Sequence, residues 1–184
     1  MSRSHKFHKP EAAYFVSFAV VEWLDVFTKE KYIKIILDCL TFCQKEKGME
    51  IYAWVIMTNH MHLVFRSIGD QKPGHLLGDF KRFTSNTIVK AIKENTEERK
   101  REIWLNKFQK SANKSSNVNH HQFWRHDNHP IEVYSYKFVA QKINYVHNNP
   151  VKAGIVRRPE DYAYSSAKDY AGEKGLLDDI VIAL

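Results

Sequence analysis

The chain of 184 residues fits one domain with a substantial core, and its 43% hydrophobic and 27% charged residues are ordinary for a globular protein. No apolar run is long enough to span a bilayer, and 28 Lys and Arg against 21 Asp and Glu leave a net charge of +7, which favours an anionic partner. The opening Met1-Ser2-Arg3-Ser4-His5-Lys6 lacks the apolar core of a secretory leader, so the expected location is the cytoplasm, where Cys39 and Cys43 are expected as packed thiols.

After a basic leader through Pro10, Tyr14-Phe15-Val16-Ser17-Phe18-Ala19-Val20-Val21 is aromatic and β-branched, which predicts a strand. Thr28 is the expected cap of a helix in which Tyr32, Ile33, Ile36, Leu37, Leu40 and Cys43 recur at helical spacing until Gly48 ends it. A second strand over residues 51–57 turns through Thr58-Asn59 into a histidine-bearing strand, and the pair reads as a hairpin. Beyond the break at Asp70-Gln71-Lys72-Pro73-Gly74, Leu76, Leu77, Phe80, Phe83, Ile88, Val89 and Ile92 form the apolar side of a second helix, with Lys81, Arg82, Lys90 and Lys93 on or beside its wetter surface.

Residues 94–102 are dense in charge and either extend that helix or begin another. Residues 110–119 are expected as a basic, mobile surface loop, because little apolar material is there to offset the entropy of ordering it. Gln122-Phe123-Trp124-Arg125 reads as a last short strand, which completes the β-α-β-β-α-β order of a ferredoxin-like α+β domain. From Ser135 the pattern is helical again, with Phe138, Val139, Ile143 and Val146 inward and Pro150 ending the helix at Asn149. Tyr162 and Tyr164 are expected to pack the end of the chain onto the domain, and the apolar residues 176–184 to form a short strand or a partner-binding segment.

Two stretches carry the chemistry. In Thr58-Asn59-His60-Met61-His62-Leu63-Val64-Phe65 the histidines alternate, so on a strand both project from one face while Met61, Leu63 and Phe65 project from the other. Two imidazoles on a rigid strand supply two metal donors; taken alone they suit zinc, manganese or another transition ion and need a further ligand. In Asn144-Tyr145-Val146-His147-Asn148-Asn149-Pro150, Tyr145 and Asn149 lie one helical turn apart, and can direct a phenol and an amide oxygen into one cavity. Attack by a phenol requires its proton to be removed or its developing charge stabilised, and an ion can provide that. Each stretch alone is also compatible with a plain structural role, histidines on a polar sheet face and a capped helix end; their combination is the informative feature.

These stretches resemble the small HUH-type tyrosine transposases of the IS200-like superfamily, especially their domesticated, repetitive-palindrome-associated relatives. The resemblance rests on Trp54-Val55-Ile56-Met57-Thr58-Asn59-His60-Met61-His62-Leu63-Val64 and on Tyr145-Val146-His147-Asn148-Asn149-Pro150-Val151-Lys152-Ala153-Gly154-Ile155-Val156. Phe123-Trp124-Arg125 and Tyr162-Ala163-Tyr164-Ser165-Ser166 add to it. It implies a catalytic domain over residues 10–170, with residues 171–184 as an extension that forms a strand or a dimer contact. The implied fold is a ferredoxin-like antiparallel sheet with helices on one face and an open catalytic, DNA-binding face.

By the same resemblance His60 and His62 are metal ligands, Tyr145 is the nucleophile and Asn149 is the third, polar ligand. The implied activity is cleavage and rejoining of single-stranded DNA near hairpins through a 5′-phosphotyrosine, with Mg2+ or Mn2+, usually in a homodimer and here nucleoid-associated. Thr58 stands where many relatives have proline, a difference that bears on turn rigidity. Lys81, Arg82, Lys142 and Lys152 are the expected phosphate contacts, and Trp124 and Tyr164 are candidates for base stacking, with core packing the favoured alternative for each. The competing expectations are a noncatalytic regulator that binds DNA hairpins on the same fold, and a nuclease that uses water.

Overall fold

The computed structural model describes residues 7–113 and 121–183. The elements run β1 (Ala13–Ala19), α1 (Glu30–Lys47), β2 (Met49–Ile56), β3 (His60–Ser67), α2 (Pro73–Glu94), α3 (Arg101–Asn113), β4 (Ile131–Val133), α4 (Tyr136–His147), α5 (Asn149–Lys152) and α6 (Ala167–Tyr170). The four strands form one sheet in the order β2-β3-β1-β4, each pair antiparallel. That order on a β-α-β-β-α-β chain is the ferredoxin-like α+β fold.

Alternation along the strands divides the interior. One face of the sheet, carrying Val16, Phe18, Ile51, Met61, Leu63 and Phe65, packs on α1 and α2 through Ile33, Ile36, Leu40, Leu76, Phe80 and Ile88. The other face, carrying Phe15, Ala53, Val55 and Val64, forms a smaller core with Ile143 and Val146 of α4. This second face is therefore covered by α4 over part of its area, while α1 and α2 occupy the first.

Local chemistry accounts for the element ends. Gly48 closes α1 with φ of 63°, its N–H reaching the Cys43 carbonyl, and a Cβ there would come within 2.7 Å of the Gly69 backbone nitrogen. Pro73 opens α2 at a position where no N–H is needed. Thr28 does not cap α1: its hydroxyl donates to the Asp25 carbonyl at 3.0 Å and closes a short 3-10 turn, so Lys29 stands at the cap without a side-chain bond. Cys39 and Cys43 are free and buried.

Three further expectations change. Residues 122–125 do not form the fourth strand; only an isolated bridge joins Trp124 to Val20, and the edge of β1 is paired instead by Ile131–Val133. Residues 110–113, expected in a loop, are the last turn of α3 with Ala112 buried, and the rest of that expected loop, 114–119, lies outside the described residues. Phe83, expected to face inward from α2, is 57% exposed.

The end of the chain closes the outer edge of β2. Ile56 N–H donates to the Tyr164 carbonyl, Ser166 N–H to the Trp54 carbonyl and Val181 N–H to the Ile51 carbonyl, at 2.9, 3.0 and 2.9 Å. Leu177 is buried in the main core. Residues 171–183 thus pack on the domain, with one isolated bridge at Ile180, and form no regular strand. Among the described residues, no helix is long and apolar enough to cross a membrane.

Candidate active site

The β2–β3 hairpin places the two histidines. Met57 N–H donates to the His60 carbonyl at 2.8 Å across the turn, and the Thr58 carbonyl accepts from Phe27 N–H at 2.9 Å, so the turn is tied to the segment that precedes α1. Opposite His60 and His62 on β1 stand the small residues Ala19 and Ser17, and Phe15 stacks on the His62 ring at 5.6 Å. The rings are neighbours, with centroids 5.0 Å apart.

Helix α4 brings the second half. Ser135 caps it, accepting from Phe138 N–H at 3.3 Å, and Ile143 and Val146 seat it on the second sheet face. Tyr145 comes from the same helix with its ring 5.3 Å from that of His62, edge-on, and 5.6 Å from that of Phe15. At 40% exposure the phenol is open to a substrate. Pro150 does not simply end the helix at Asn149. The chain continues into the single turn α5, in which Asn149 donates through Nδ2 to the Tyr145 carbonyl at 3.1 Å. The same Asn149 side chain acts on both imidazoles, raising their affinity for a proton.

Burial nonetheless holds both histidines below the ordinary imidazole range. For His62 the desolvation is reinforced by His60 and by the Lys142 ammonium, which together push it down to about 3. Both rings are therefore neutral near pH 7, the state a metal ligand requires.

Their hydrogen bonding differs in an instructive way. His60 Nδ1 lies 2.8 Å from Asn59 Oδ1, and Asn59 Nδ2 donates to Asp25 Oδ1 at 2.9 Å. Because Asn59 spends its amino group on Asp25, its oxygen faces the ring and fixes the proton on Nδ1, so Nε2 keeps its lone pair. His62 is 4% exposed, and neither of its ring nitrogens has a hydrogen-bond partner of good geometry. A buried imidazole without partners is costly in a protein interior.

Two cations complete the electrostatics. Lys142 Nζ sits 4.7 Å from the centroid of Phe15 and 5.8 Å from that of Tyr145, and Lys152 Nζ lies 5.4 Å from the Tyr145 ring. The other expected phosphate contacts stand elsewhere. Lys81 is not on the wet side of α2: its ammonium donates to the Arg125 carbonyl and to Asn128 and lies over Phe18, and burial lowers its pKa to about 8. Arg82 is exposed and paired with Asp79. Trp124 is 5% exposed in the main core with its indole N–H on Thr84 Oγ1 at 3.0 Å, which withdraws it from base stacking. Tyr164 is partly buried against the same core.

Sequence reasoning missed the groups that hold these side chains. Asn59 and Asp25 orient His60; of the two, only Asn59, adjacent to the first histidine, carried a signal. His147 is buried, with Nε2 2.8 Å from Ser166 Oγ, which in turn accepts from Trp54 N–H at 3.0 Å. Through this contact α4 is fastened to the edge of β2, and the Tyr164-Ser165-Ser166 motif acquires a positioning role. Among the described residues no three His, Cys, Asp or Glu side chains cluster as a metal site. The donors gathered here are two imidazole nitrogens and one amide oxygen.

The family model described as "Transposase IS200 like" matches residues 14–124, which include the histidine strand and stop short of Tyr145. No curated protein matches the chain significantly in sequence. Among solved structures, a REP-associated tyrosine transposase bound to a REP hairpin shares the fold at a TM-score of 0.62 and 15% identity, over 96% of this chain and 90% of that one.

Proposed function

Because the chain belongs to the IS200-like transposase family, we propose that Tyr145 is its nucleophile and that His60, His62 and Asn149 hold the divalent ion of a DNA strand-cleaving and strand-joining site. The observation that carries the assignment is His62, whose two buried ring nitrogens have no partner of hydrogen-bonding geometry and whose ring stands 5.3 Å from that of Tyr145. Two neutral imidazoles and an amide oxygen fit Mn2+ or Mg2+ when water and phosphate oxygens fill the remaining positions. When bound, the ion polarises the scissile phosphate and neutralises charge that develops on it.

The chain's own residues do the rest. The Tyr145 oxygen attacks phosphorus, a bond forms between that oxygen and the 5′ phosphate, and the bond to the 3′ oxygen breaks. The phenol proton is lost and the departing 3′ oxygen gains one, so the products are a 5′-phosphotyrosine and a 3′ hydroxyl. Lys142 and Lys152 stabilise the negative charge that gathers on the phenol oxygen and the phosphate. Attack of a new 3′ hydroxyl on the phosphotyrosine reverses the step and joins strands. The proposed substrate is a DNA hairpin with single-stranded flanks. The proposed catalytic domain is residues 10–170 and the proposed assembly is a homodimer; sedimentation that gives only monomer, with and without DNA, removes the latter.

Purified protein incubated with Mg2+ or Mn2+ and hairpin DNA from the flanks of its gene should form a covalent adduct, with digestion mapping the nucleotide to Tyr145. If Tyr145→Phe forms the same adduct, the nucleophile lies elsewhere. If wild type binds the hairpin and cleaves nothing in either metal, the protein is a noncatalytic hairpin-binding regulator.

A further inference from the structure

The segment between β1 and α1 contains two consecutive residues in the left-handed region, Glu22 with φ of 51° and Trp23 with φ of 55°. A bulky side chain is a genuine outlier there, and such strain persists only where the surroundings over-determine it. The surroundings are plain. Val20 N–H donates to the Asn59 carbonyl, Val21 N–H to the Phe123 carbonyl and Phe27 N–H to the Thr58 carbonyl, while Glu22 pairs with Lys107 at 3.0 Å. The strained pair is thereby held against the histidine hairpin on one side and residues 123–125 on the other.

What the strain produces is an exposed tryptophan at the rim of the site. Trp23 is 52% exposed, whereas Trp54, Trp104 and Trp124 are 0%, 2% and 5% exposed. Its ring lies 5.7 Å from that of His60, and the Arg125 guanidinium sits 5.4 Å from its centroid. Ring contacts then run without interruption from Trp23 to His60, His62 and Tyr145. An apolar ring left open to water beside a cation at the margin of a phosphate-handling site has the properties of a nucleic-acid stacking surface.

We infer that Trp23, flanked by Arg125, is a platform for an unpaired base next to the scissile phosphate. The inference rests on the proposed DNA-cleaving function and adds a positioning residue to it. The neighbouring base stacks on the indole beside the phosphate that Tyr145 attacks, while Arg125, itself paired with Asp127 at 3.1 Å, backs the ring. Stacking of this kind tolerates any base, because each has a π-face. Trp23 therefore sets the position of the strand and leaves the reading of sequence to other contacts.

The test is collisional quenching of tryptophan fluorescence by acrylamide in metal-free buffer, where no cleavage occurs, with a mixed-sequence single-stranded oligonucleotide as probe. The accessible emission belongs to Trp23, since the other three indoles are buried. Saturating oligonucleotide should shield it, Trp23→Ala should weaken binding about ten- to a hundredfold, and Trp23→Phe should restore most of the loss. The melting temperature of Trp23→Ala should stay near that of wild type, because the removed ring is exposed. Binding that leaves Trp23 fully quenchable, or Trp23→Ala that binds as wild type, overturns the platform and leaves the cleavage proposal standing. Failure of wild type to bind the oligonucleotide overturns the platform alone, and failure to bind the flanking hairpin with Mg2+ or Mn2+ present overturns both.

Discussion

On β3, Met61, Leu63 and Phe65 alternate with His60 and His62, one peptide bond apart, and the two sets obey opposite rules. The first set is apolar, packed on α1 and α2, and leaves no polar atom behind. The second holds two imidazoles, His60 oriented by Asn59 and Asp25, and His62 set against Phe15 and Tyr145 with both nitrogens unpaired. The first face lowers the free energy of the fold throughout, whereas the second combines a smaller core with two imidazoles whose burial is unfavourable, the feature on which the proposed ion site rests. The difference separates what stabilises the protein from what it does.

The largest effect expected from dividing the molecule this way is kinetic. Tyr145→Phe should reduce strand cleavage by at least about 1000-fold, since it removes the atom that attacks. It should leave the melting temperature unchanged, because the lost hydroxyl is on a side chain open to solvent. A coincident loss of stability would show that the second face is structural after all.

Next come paired substitutions on β3. Leu63→Ala should destabilise by about 2–5 kcal/mol through the cavity it opens. His62→Leu should do the reverse in the metal-free protein, raising stability on the order of 1 kcal/mol by removing unpaired buried nitrogens, while abolishing metal binding. Thermal melts of the two variants in chelator check the contrast, and a His62→Leu variant that melts well below wild type would blur it.

Acid should act through the same face. Burial lowers His147 to about 4 and His62 to about 3, against 6.5 for the free side chain. Between those values the unfolded chain binds protons that the native one refuses, so stability is complete above about pH 6.5 and declines as the pH falls toward 4. A melting temperature of the metal-free protein that is flat across this window would contradict the buried, neutral imidazoles.

The smallest effect belongs to the cations at the rim. Lys142→Ala and Lys152→Ala should each weaken DNA binding severalfold and reduce the salt dependence by about one counterion, whereas Arg82→Ala, whose guanidinium is already paired with Asp79 away from the site, should change neither. Binding isotherms at several salt concentrations distinguish them.

Period-2 alternation made His60 and His62 legible as a same-face pair, and helical spacing made Tyr145 and Asn149 legible as a second pair one turn apart. Strands and helices of full length carry such patterns. The three-residue β4 is too short to carry one, and Phe123-Trp124 offered a stronger aromatic signal whose actual cause is core packing. Lys81 reads as a surface lysine until the loop at 125–128 is placed over it. Asp25, His147 and Trp23 owe their roles to contacts across the chain or to a left-handed backbone, and neither leaves a periodic trace.

The most direct measurement of the contrast between the two faces is electron paramagnetic resonance of Mn2+ bound to the purified protein, read for nitrogen couplings. Wild type should show couplings from two imidazoles, with one lost in His60→Ala and one lost in His62→Ala. Mn2+ bound without nitrogen coupling, or with couplings that both variants leave unchanged, would place the ion elsewhere and contradict the assignment of this face as the active site.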